Sequence, residues 1–152
     1  MKVALFILLI LTIIFGALYK LEVFSSNQIK IKIETANAAK KFKVWLADSE
    51  EEKIKGLSGK FRIKDNAGML FILDENGIND FWMKDMRFKI DLLFIDKNNR
   101  VAEIYEQLEA CRADFICPTY SPAEPANYAL ELKAGRVSKL GVKIGDLMKV
   151  ED

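Results

Sequence analysis

The feature that most constrains the fold is the segment Phe81–Asp96, which carries aromatic and apolar side chains beside charged ones. From Ile90 to Ile95 the side chains alternate between two faces of the chain. Alternation with a period of two in a run of β-forming residues predicts a strand. Asp96–Arg100 supplies turn residues, and Val101–Leu108 predicts the returning strand of a hairpin. We therefore expect Phe81–Asp96 at the centre of a β-rich domain.

Other segments predict the rest of the sheet. Ile29–Glu34 and Lys41–Leu46 alternate between apolar and polar residues and predict a first hairpin. Gly68–Leu73 is apolar throughout and predicts a buried central strand. Further strands are expected at Tyr128–Leu132 and Leu147–Val150. The predicted fold class is α+β, a compact and mostly antiparallel β-sheet or barrel-like domain.

Two short helices are expected beside this sheet. The first follows Asp48, which we assign as its N-cap, and its apolar side chains Ile54 and Leu57 are expected to share a face. The second covers Ala134–Leu140, and Gly141 is expected to end it.

The N-terminal segment predicts a membrane anchor. Val3–Tyr19 is an unbroken apolar run which, as a helix, spans roughly 25 Å, short of the ~30 Å hydrocarbon core of a bilayer, and Leu21, Val23 and Phe24 extend its apolar length. We favour an uncleaved transmembrane signal-anchor over residues 1–24, because no good small-x-small cleavage site follows the run; a cleaved signal peptide is the alternative. Residues 25–28 form a short linker, and residues 29–152 a single globular domain. The expected location is the cell membrane, crossed once, with the domain on the extracytoplasmic side.

The composition excludes several classes of function. The chain has no histidine, which removes Ser-His-Asp triads, Cys-His dyads and His-ligated metals. Its 23 Lys and Arg residues nearly balance 22 Asp and Glu residues, and a net charge of +1 gives no reason to expect a nucleic-acid partner. We expect no metal site and no cofactor.

The two cysteines, Cys111 and Cys117, stand in a C-x5-C pair. The pair has too few ligands for a zinc site and is wider than the C-x-x-C redox spacing. A local disulfide is the favoured interpretation for an exported domain, since disulfides persist in oxidising compartments. Two free thiols, or a redox or metal role, remain the alternatives.

Six short motifs occur in order along the chain: Ala67–Phe71, Phe81–Lys84, Ile90–Asp96, Cys117-Pro118, Tyr128–Gly135 and Leu140–Asp146. In this order and spacing they resemble the domain-of-unknown-function family numbered 192, over roughly Phe42 to the C-terminus. The resemblance implies a compact, β-dominated α+β domain in a protein that is exported or membrane-anchored, and it implies no reaction. Members usually carry an Asn-Thr pair after the Phe-Trp-Met-Lys motif, where this chain has Asp85-Met86.

Aromatic and polar residues at five positions are the candidate ligand contacts, because an aromatic wall with a few polar anchors is typical of a small-ligand pocket. Trp82 and Lys84 lie two residues apart, so their side chains leave the same face of an extended chain, together with that of Asp80. The alternative for each candidate is a structural or solvated side chain. The candidates are Trp82, Lys84, Asp91, Tyr120 and Glu131.

These observations favour a membrane-anchored extracytoplasmic binding or accessory domain for a small polar ligand. A structural partner domain of an envelope protein complex is the alternative. A second alternative is a carboxylate-based hydrolase acting on sugar or cell-wall material, in which Asp91 pairs with Glu131 or Asp85. Catalysis is less favoured and no catalytic residue is assigned, because nothing in the sequence brings these carboxylates together.

Overall fold

The computed structural model describes residues 10–12, 27–74, 80–111 and 116–151. Residues 10–12 are helical, and the rest of Val3–Tyr19, like residues 25 and 26 of the predicted linker, lies outside the described residues. Within the described ranges, no helix combines the length and the apolar character needed to cross a bilayer. The structure therefore does not describe the predicted anchor.

Beyond residues 10–12, the described residues form nine strands and two short helices, most of which lie where the sequence predicts them. Helix α1 covers Glu50–Lys55 and helix α2 covers Arg136–Leu140. The strands are β1 Gln28–Glu34, β2 Ala39–Ala47, β3 Ala67–Ile72, β4 Phe81–Trp82, β5 Ile90–Ile95, β6 Val101–Leu108, β7 Thr119–Tyr120, β8 Tyr128–Lys133 and β9 Leu147–Glu151.

Seven strands form one curled, mixed sheet in the order β6-β5-β8-β3-β2-β1-β9. Strands β2 and β3 run parallel, and the other neighbours in this sheet are antiparallel. The two outer strands approach each other at an isolated bridge between Arg100 and Leu147. The N–H of Val101 donates to the carbonyl of Asp146 (2.9 Å) at this seam. The sheet therefore curls far enough for its edges to touch, in agreement with the predicted β-rich domain.

Strand β3 lies in the middle of the sheet, as its apolar sequence predicts, and both its faces are buried. Phe71 belongs to a cluster on one face with Phe94, and Leu70 to a second cluster on the other face with Leu93. Gly68 permits close contact with β8, because a Cβ atom there would lie 2.4 Å from the carbonyl oxygen of Glu131. A run with no polar face is what a strand buried on both sides requires.

Helix α1 corrects two predictions. Its N-cap is Ser49 instead of Asp48: the Ser49 hydroxyl accepts from the N–H of Glu52, and the Glu52 carboxylate accepts from the N–H of Ser49. Ile54 is 70% exposed while Leu57 is buried. The helix ends at Lys55, so Leu57 lies beyond it and the helical spacing that predicted a shared face does not apply. Helix α2 ends at Gly141 as predicted.

Candidate functional site

A cavity of about 380 Å³ opens between α1 and β4, over the end of β3. Its apolar wall comes from the core, and charged groups stand around it. This volume lies in the range of small-ligand pockets. The lining includes Lys53, Phe71, Phe81, Trp82, Lys84, Met86 and Glu131.

Glu131 is the buried polar group of this cavity. It lies on β8 between Met69 of β3 and Leu92 of β5, both of which are buried. Its side chain is 5% exposed, and Oε2 has no hydrogen-bond partner among the described residues. Burial raises the pKa of the Glu131 carboxyl to about 8, because an apolar environment disfavours the ionised form. At pH 7 the group is therefore mostly protonated and presents both a donor and an acceptor.

Trp82 and Lys84 stand on the wall of the cavity, on the same face of the chain. Trp82 is 51% exposed, whereas Met83 between them is buried. The Lys84 ammonium lies 5.7 Å from the centroid of the Trp82 ring, within reach of a cation–π contact. Asp80 lines the cavity from the same face. The alternation expected for an extended segment therefore brings these three side chains together.

Two neighbouring segments hold this wall in place. Strand β4 leaves the main sheet and pairs with β7, with Trp82 opposite Thr119. Beyond β4, the N–H of Asp85 donates to the carbonyl of Cys111 (3.0 Å), and the N–H of Cys111 donates to the carbonyl of Met83 (2.9 Å). The sulfur atoms of Cys111 and Cys117 are 2.07 Å apart, as predicted for a disulfide. The bond links Cys111, which forms a bridge with Lys84, to the segment that leads into β7 beside Trp82.

Asp91 lies outside the cavity and is structural. It is fully buried on the opposite face of the sheet from Glu131, among residues of the second cluster. Its two oxygens accept from the backbone N–H groups of Gln107 (3.0 Å) and Val137 (3.0 Å). The first contact satisfies the N–H of Gln107, a residue of β6 with a φ of 58°. The second satisfies the N–H of Val137 and so caps the start of α2. The predicted pairing of Asp91 with Glu131 is therefore wrong, because the sheet separates the two carboxylates.

Tyr120 also lies apart from the lining of the cavity. It is half-buried on β7, opposite Phe81, and its ring packs edge-on against Tyr105 with the centroids 5.4 Å apart. Tyr120 therefore packs within the β4–β7 pair, which also carries Trp82. Of the five candidates, the structure brings together Trp82, Lys84 and Glu131.

The cavity is also lined by Lys53 and Met86, which were not predicted as site residues from the sequence. The Lys53 ammonium lies 3.3 Å from the Asp74 carboxylate and 3.4 Å from the Glu50 carboxylate. Its positive charge therefore interacts with two carboxylates at the opening of the cavity. The i,i+3 spacing of Glu50 and Lys53 suggested only a solvated helix face. Met86 carried a signal, since it follows Met83 at the end of the aromatic segment. Among the described residues, no three acidic or cysteine side chains cluster as metal ligands.

The fold and cavity define a small β-rich domain in which the buried acid Glu131, whose Oε2 has no partner among the described residues, lies beneath an aromatic and cationic wall. The sequence profile of the DUF192 family (Uncharacterized ACR, COG1430) matches residues 31–150. The chain belongs to this family. No protein in the comparison with curated proteins matches its sequence.

Two solved structures are similar to this chain. A protein of unknown function from Novosphingobium aromaticivorans is 25% identical, with a TM-score of 0.70 over 80% of this chain and 84% of that one. A "putative transcription regulator" from Sinorhizobium meliloti is 29% identical, with a TM-score of 0.72 over 83% of this chain and 95% of that one. The curled sheet is therefore shared with experimentally solved relatives.

Proposed function

We propose that this chain is a binding domain, held at the extracytoplasmic surface of the cell membrane, whose cavity takes a small polar ligand with an apolar face. The observation that carries the proposal is Glu131, a buried carboxyl at a cavity that opens to solvent, whose Oε2 has no hydrogen-bond partner among the described residues. A buried polar group left unpaired costs about 1–3 kcal/mol, so a ligand that completes its hydrogen bonds recovers that free energy.

The wall of the cavity suggests the character of the ligand. The half-exposed Trp82 ring offers a flat apolar surface, and Lys84 beside it offers a positive charge. Asp80 adds a carboxylate on the same side. Protonated Glu131 can donate to a carbonyl and accept from a hydroxyl or amide. A sugar, or the end of a peptide, has an apolar face with polar groups of both kinds at its edge.

The alternative of a structural partner domain predicts a flat apolar patch in place of a concave site. The cavity is concave and has a polar group within it, which supports a small ligand over a protein surface. The hydrolase alternative needs two carboxyls on either side of one bond. Asp91 is occupied by two backbone N–H groups and cannot serve as that second carboxyl with either Glu131 or Asp85.

The location at the membrane rests on the apolar run Val3–Tyr19 and on the paired cysteines. A disulfide is expected in an oxidising compartment, and an N-terminal apolar helix is the usual export signal. Protease treatment of spheroplasts, in which the outer layers of the cell have been removed, tests this part of the proposal. The domain should be digested from outside, and a domain that becomes sensitive only after lysis contradicts the export.

Ligand binding is tested with tryptophan fluorescence in the Trp45→Phe variant, in which Trp82 is the one remaining tryptophan. Its emission is followed while an N-acetylglucosamine disaccharide, a free tripeptide and an acetylated tripeptide amide are added in turn. We expect one class to shift the emission with saturation. Glu131→Leu should abolish the shift, and Glu131→Gln should weaken it less, because an amide keeps a donor and an acceptor.

The matched control is Glu106→Leu, which changes an exposed glutamate of β6. It should bind as the parent does. Lys84→Ala should weaken binding of the same compound without changing the melting temperature, since an exposed lysine contributes little to stability. Binding that is equal in the parent, Glu131→Leu and Lys84→Ala would rule out this cavity as the site.

A further inference from the structure

A second concave surface, of about 830 Å³, lies where the first strand begins. We call it the basic groove; its lining includes Gln28, Lys43, Trp45, Lys60, Arg62 and Lys64. Asp65 also lines it, but both of its oxygens are engaged, by Lys133 (2.9 Å) and Arg136 (3.0 Å). The groove therefore keeps a positive surface that its own acid does not neutralise.

The positive surface continues from the groove onto the outer face of β1, β2 and β9. Lys43 of the groove stands opposite Lys30, and Lys32 stands opposite both Lys41 and Lys149. Like charges directly across a sheet destabilise it, so stability alone does not explain this arrangement. In the part of the chain that the structure describes, Lys30 and Lys43 form no salt bridge, whereas Glu34 and Glu151 bind the other lysines.

The charges of the chain are thus segregated. The groove and the adjoining outer face of β1, β2 and β9 hold nine basic residues: Lys30, Lys32, Lys41, Lys43, Lys60, Arg62, Lys64, Lys133 and Lys149. They hold three acidic residues: Glu34, Asp65 and Glu151. The rest of the chain therefore has fourteen basic and nineteen acidic residues. A net charge of +1 for the whole chain hides this asymmetry. A surface with one sign of charge attracts a partner of the opposite sign.

An exposed aromatic ring stands within this positive surface. Phe61, between Lys60 and Arg62, is 78% exposed. Ile63 of the same segment is buried and so fixes the segment to the core. The Lys60 ammonium lies 4.3 Å from the centroid of the Trp45 ring. Basic side chains around an exposed aromatic ring are typical of surfaces that lie against anionic lipid, where the ring enters the headgroup boundary.

The path of the chain brings the groove to the bilayer. Gln28 lines the groove and begins β1, and the apolar run ends at Tyr19. The eight residues between them reach at most about 28 Å. If the apolar run is in the membrane, as proposed above, the groove is held within this distance of the headgroups. We propose that the basic groove binds the anionic headgroups of the bilayer, with Phe61 entering the interface.

The test places a fluorophore at Phe61 of the full-length chain. Phe61→Cys supplies a single free thiol if the native disulfide is kept, and an environment-sensitive nitrobenzoxadiazole label is attached to it. The chain is reconstituted into nanodiscs of phosphatidylcholine alone or with 30% phosphatidylglycerol. In the anionic discs we expect a blue-shifted emission and at least a five-fold lower rate of quenching by acrylamide, both reversed by 0.5 M NaCl because salt screens the attraction.

The charge variant is Lys60→Gln with Lys64→Gln, compared with the matched variant Lys97→Gln with Lys143→Gln, which removes two exposed lysines outside the groove. Each lysine near an anionic surface strengthens attraction about five-fold, so the first pair should reduce the ratio of protected to accessible label roughly 25-fold. The second pair should leave this ratio within two-fold of the parent. Melting curves of both variants confirm that the fold is retained.

Each remaining outcome overturns the proposal. Protection that is equal in neutral and anionic discs shows that charge does not direct the contact. Absence of protection in both shows that the groove does not reach the bilayer. Protection by a single-stranded (dT)20 oligonucleotide, equal to that by anionic lipid, assigns the groove to polyanions in general. Loss of the chain from neutral discs during flotation would instead contradict the membrane anchor, and so separates that failure from failure of the groove.

Discussion

Asp91 and Glu131 are the two carboxyl side chains buried among the described residues, and their surroundings differ completely. Asp91 receives two backbone N–H groups, so both of its oxygens have hydrogen-bond partners where it lies. Glu131 receives no such donor at Oε2, and desolvation raises its pKa to about 8. The first group stabilises the fold, whereas the second costs stability and is therefore the better candidate for function.

The pH dependence of stability tests the state of Glu131. Below about pH 4.5 its carboxyl is protonated in both the folded and the unfolded chain; between that value and about pH 8 only the unfolded chain loses the proton. The contribution of this group to the free energy of unfolding therefore falls as the pH rises through this window, by up to roughly 5 kcal/mol. Glu131→Gln should remove this fall.

Urea unfolding at pH 5, 7 and 9 measures the effect. The stability of Glu131→Gln relative to the parent should increase with pH. The exposed Glu106→Gln serves as the control and should follow the parent at every pH. Parallel profiles for Glu131→Gln and the parent would show that Glu131 ionises normally in the folded protein.

Removing the Asp91 carboxylate should weaken the fold at two distant points. Asp91→Ala leaves the partly buried N–H of Gln107 and the buried N–H of Val137 without this acceptor, and we expect a loss of roughly 3 kcal/mol in the free energy of unfolding. Asp91→Asn keeps one acceptor and should lose less. Amide exchange at Val137 should accelerate in Asp91→Ala. A loss below about 1 kcal/mol with unchanged exchange would contradict the capping role.

At the scale of the elements, the sequence predicted the strands, because the alternation of side chains is a local property of the chain. Strands such as β1 follow from alternation, because successive side chains face the core and the solvent in turn. The partners of Asp91 lie 16 and 46 residues away, so no local pattern could show that this carboxylate is buried. The same holds for the parallel pairing of β2 with β3, which depends on the whole sheet. Trp82 and Lys84 were predictable as neighbours because they share one extended segment.

The disulfide is expected to hold β4 and the wall of the cavity. Cys111→Ser should lower the free energy of unfolding by about 2.4 kcal/mol, the loop-closure estimate for so short a ring. In the Trp45→Phe background, the same change should shift the emission of Trp82, because backbone hydrogen bonds join Cys111 to the residues on either side of Lys84. The measurement is urea unfolding followed by fluorescence, with and without dithiothreitol.

Dithiothreitol should lower the stability of the parent and leave Cys111→Ser unchanged. Quantitative alkylation of both cysteines in protein taken from its own compartment, without a reductant, would contradict the bond. An unchanged Trp82 emission after reduction would show that the β4–β7 pairing holds the wall without it.

For the molecule as a whole, the seam between β6 and β9 should be essential. Met148 is fully buried in the core, and its N–H donates to the carbonyl of Asn99 (2.8 Å). Deleting residues 147–152 removes β9, exposes the edge of β1 and opens the seam at Arg100. We expect this deletion to abolish cooperative thermal unfolding, measured by calorimetry. Deleting residue 152 alone, which lies beyond β9, is the control and should leave the transition intact.

Strand β9 pairs with β1, although 112 residues separate them along the chain. A ribosome delivers β1 first and β9 after all the other strands, so an emerging chain carries an open edge on β1 throughout its synthesis. The sheet can be completed only after Glu151 has emerged, and an arrested chain is not a smaller working version of the domain.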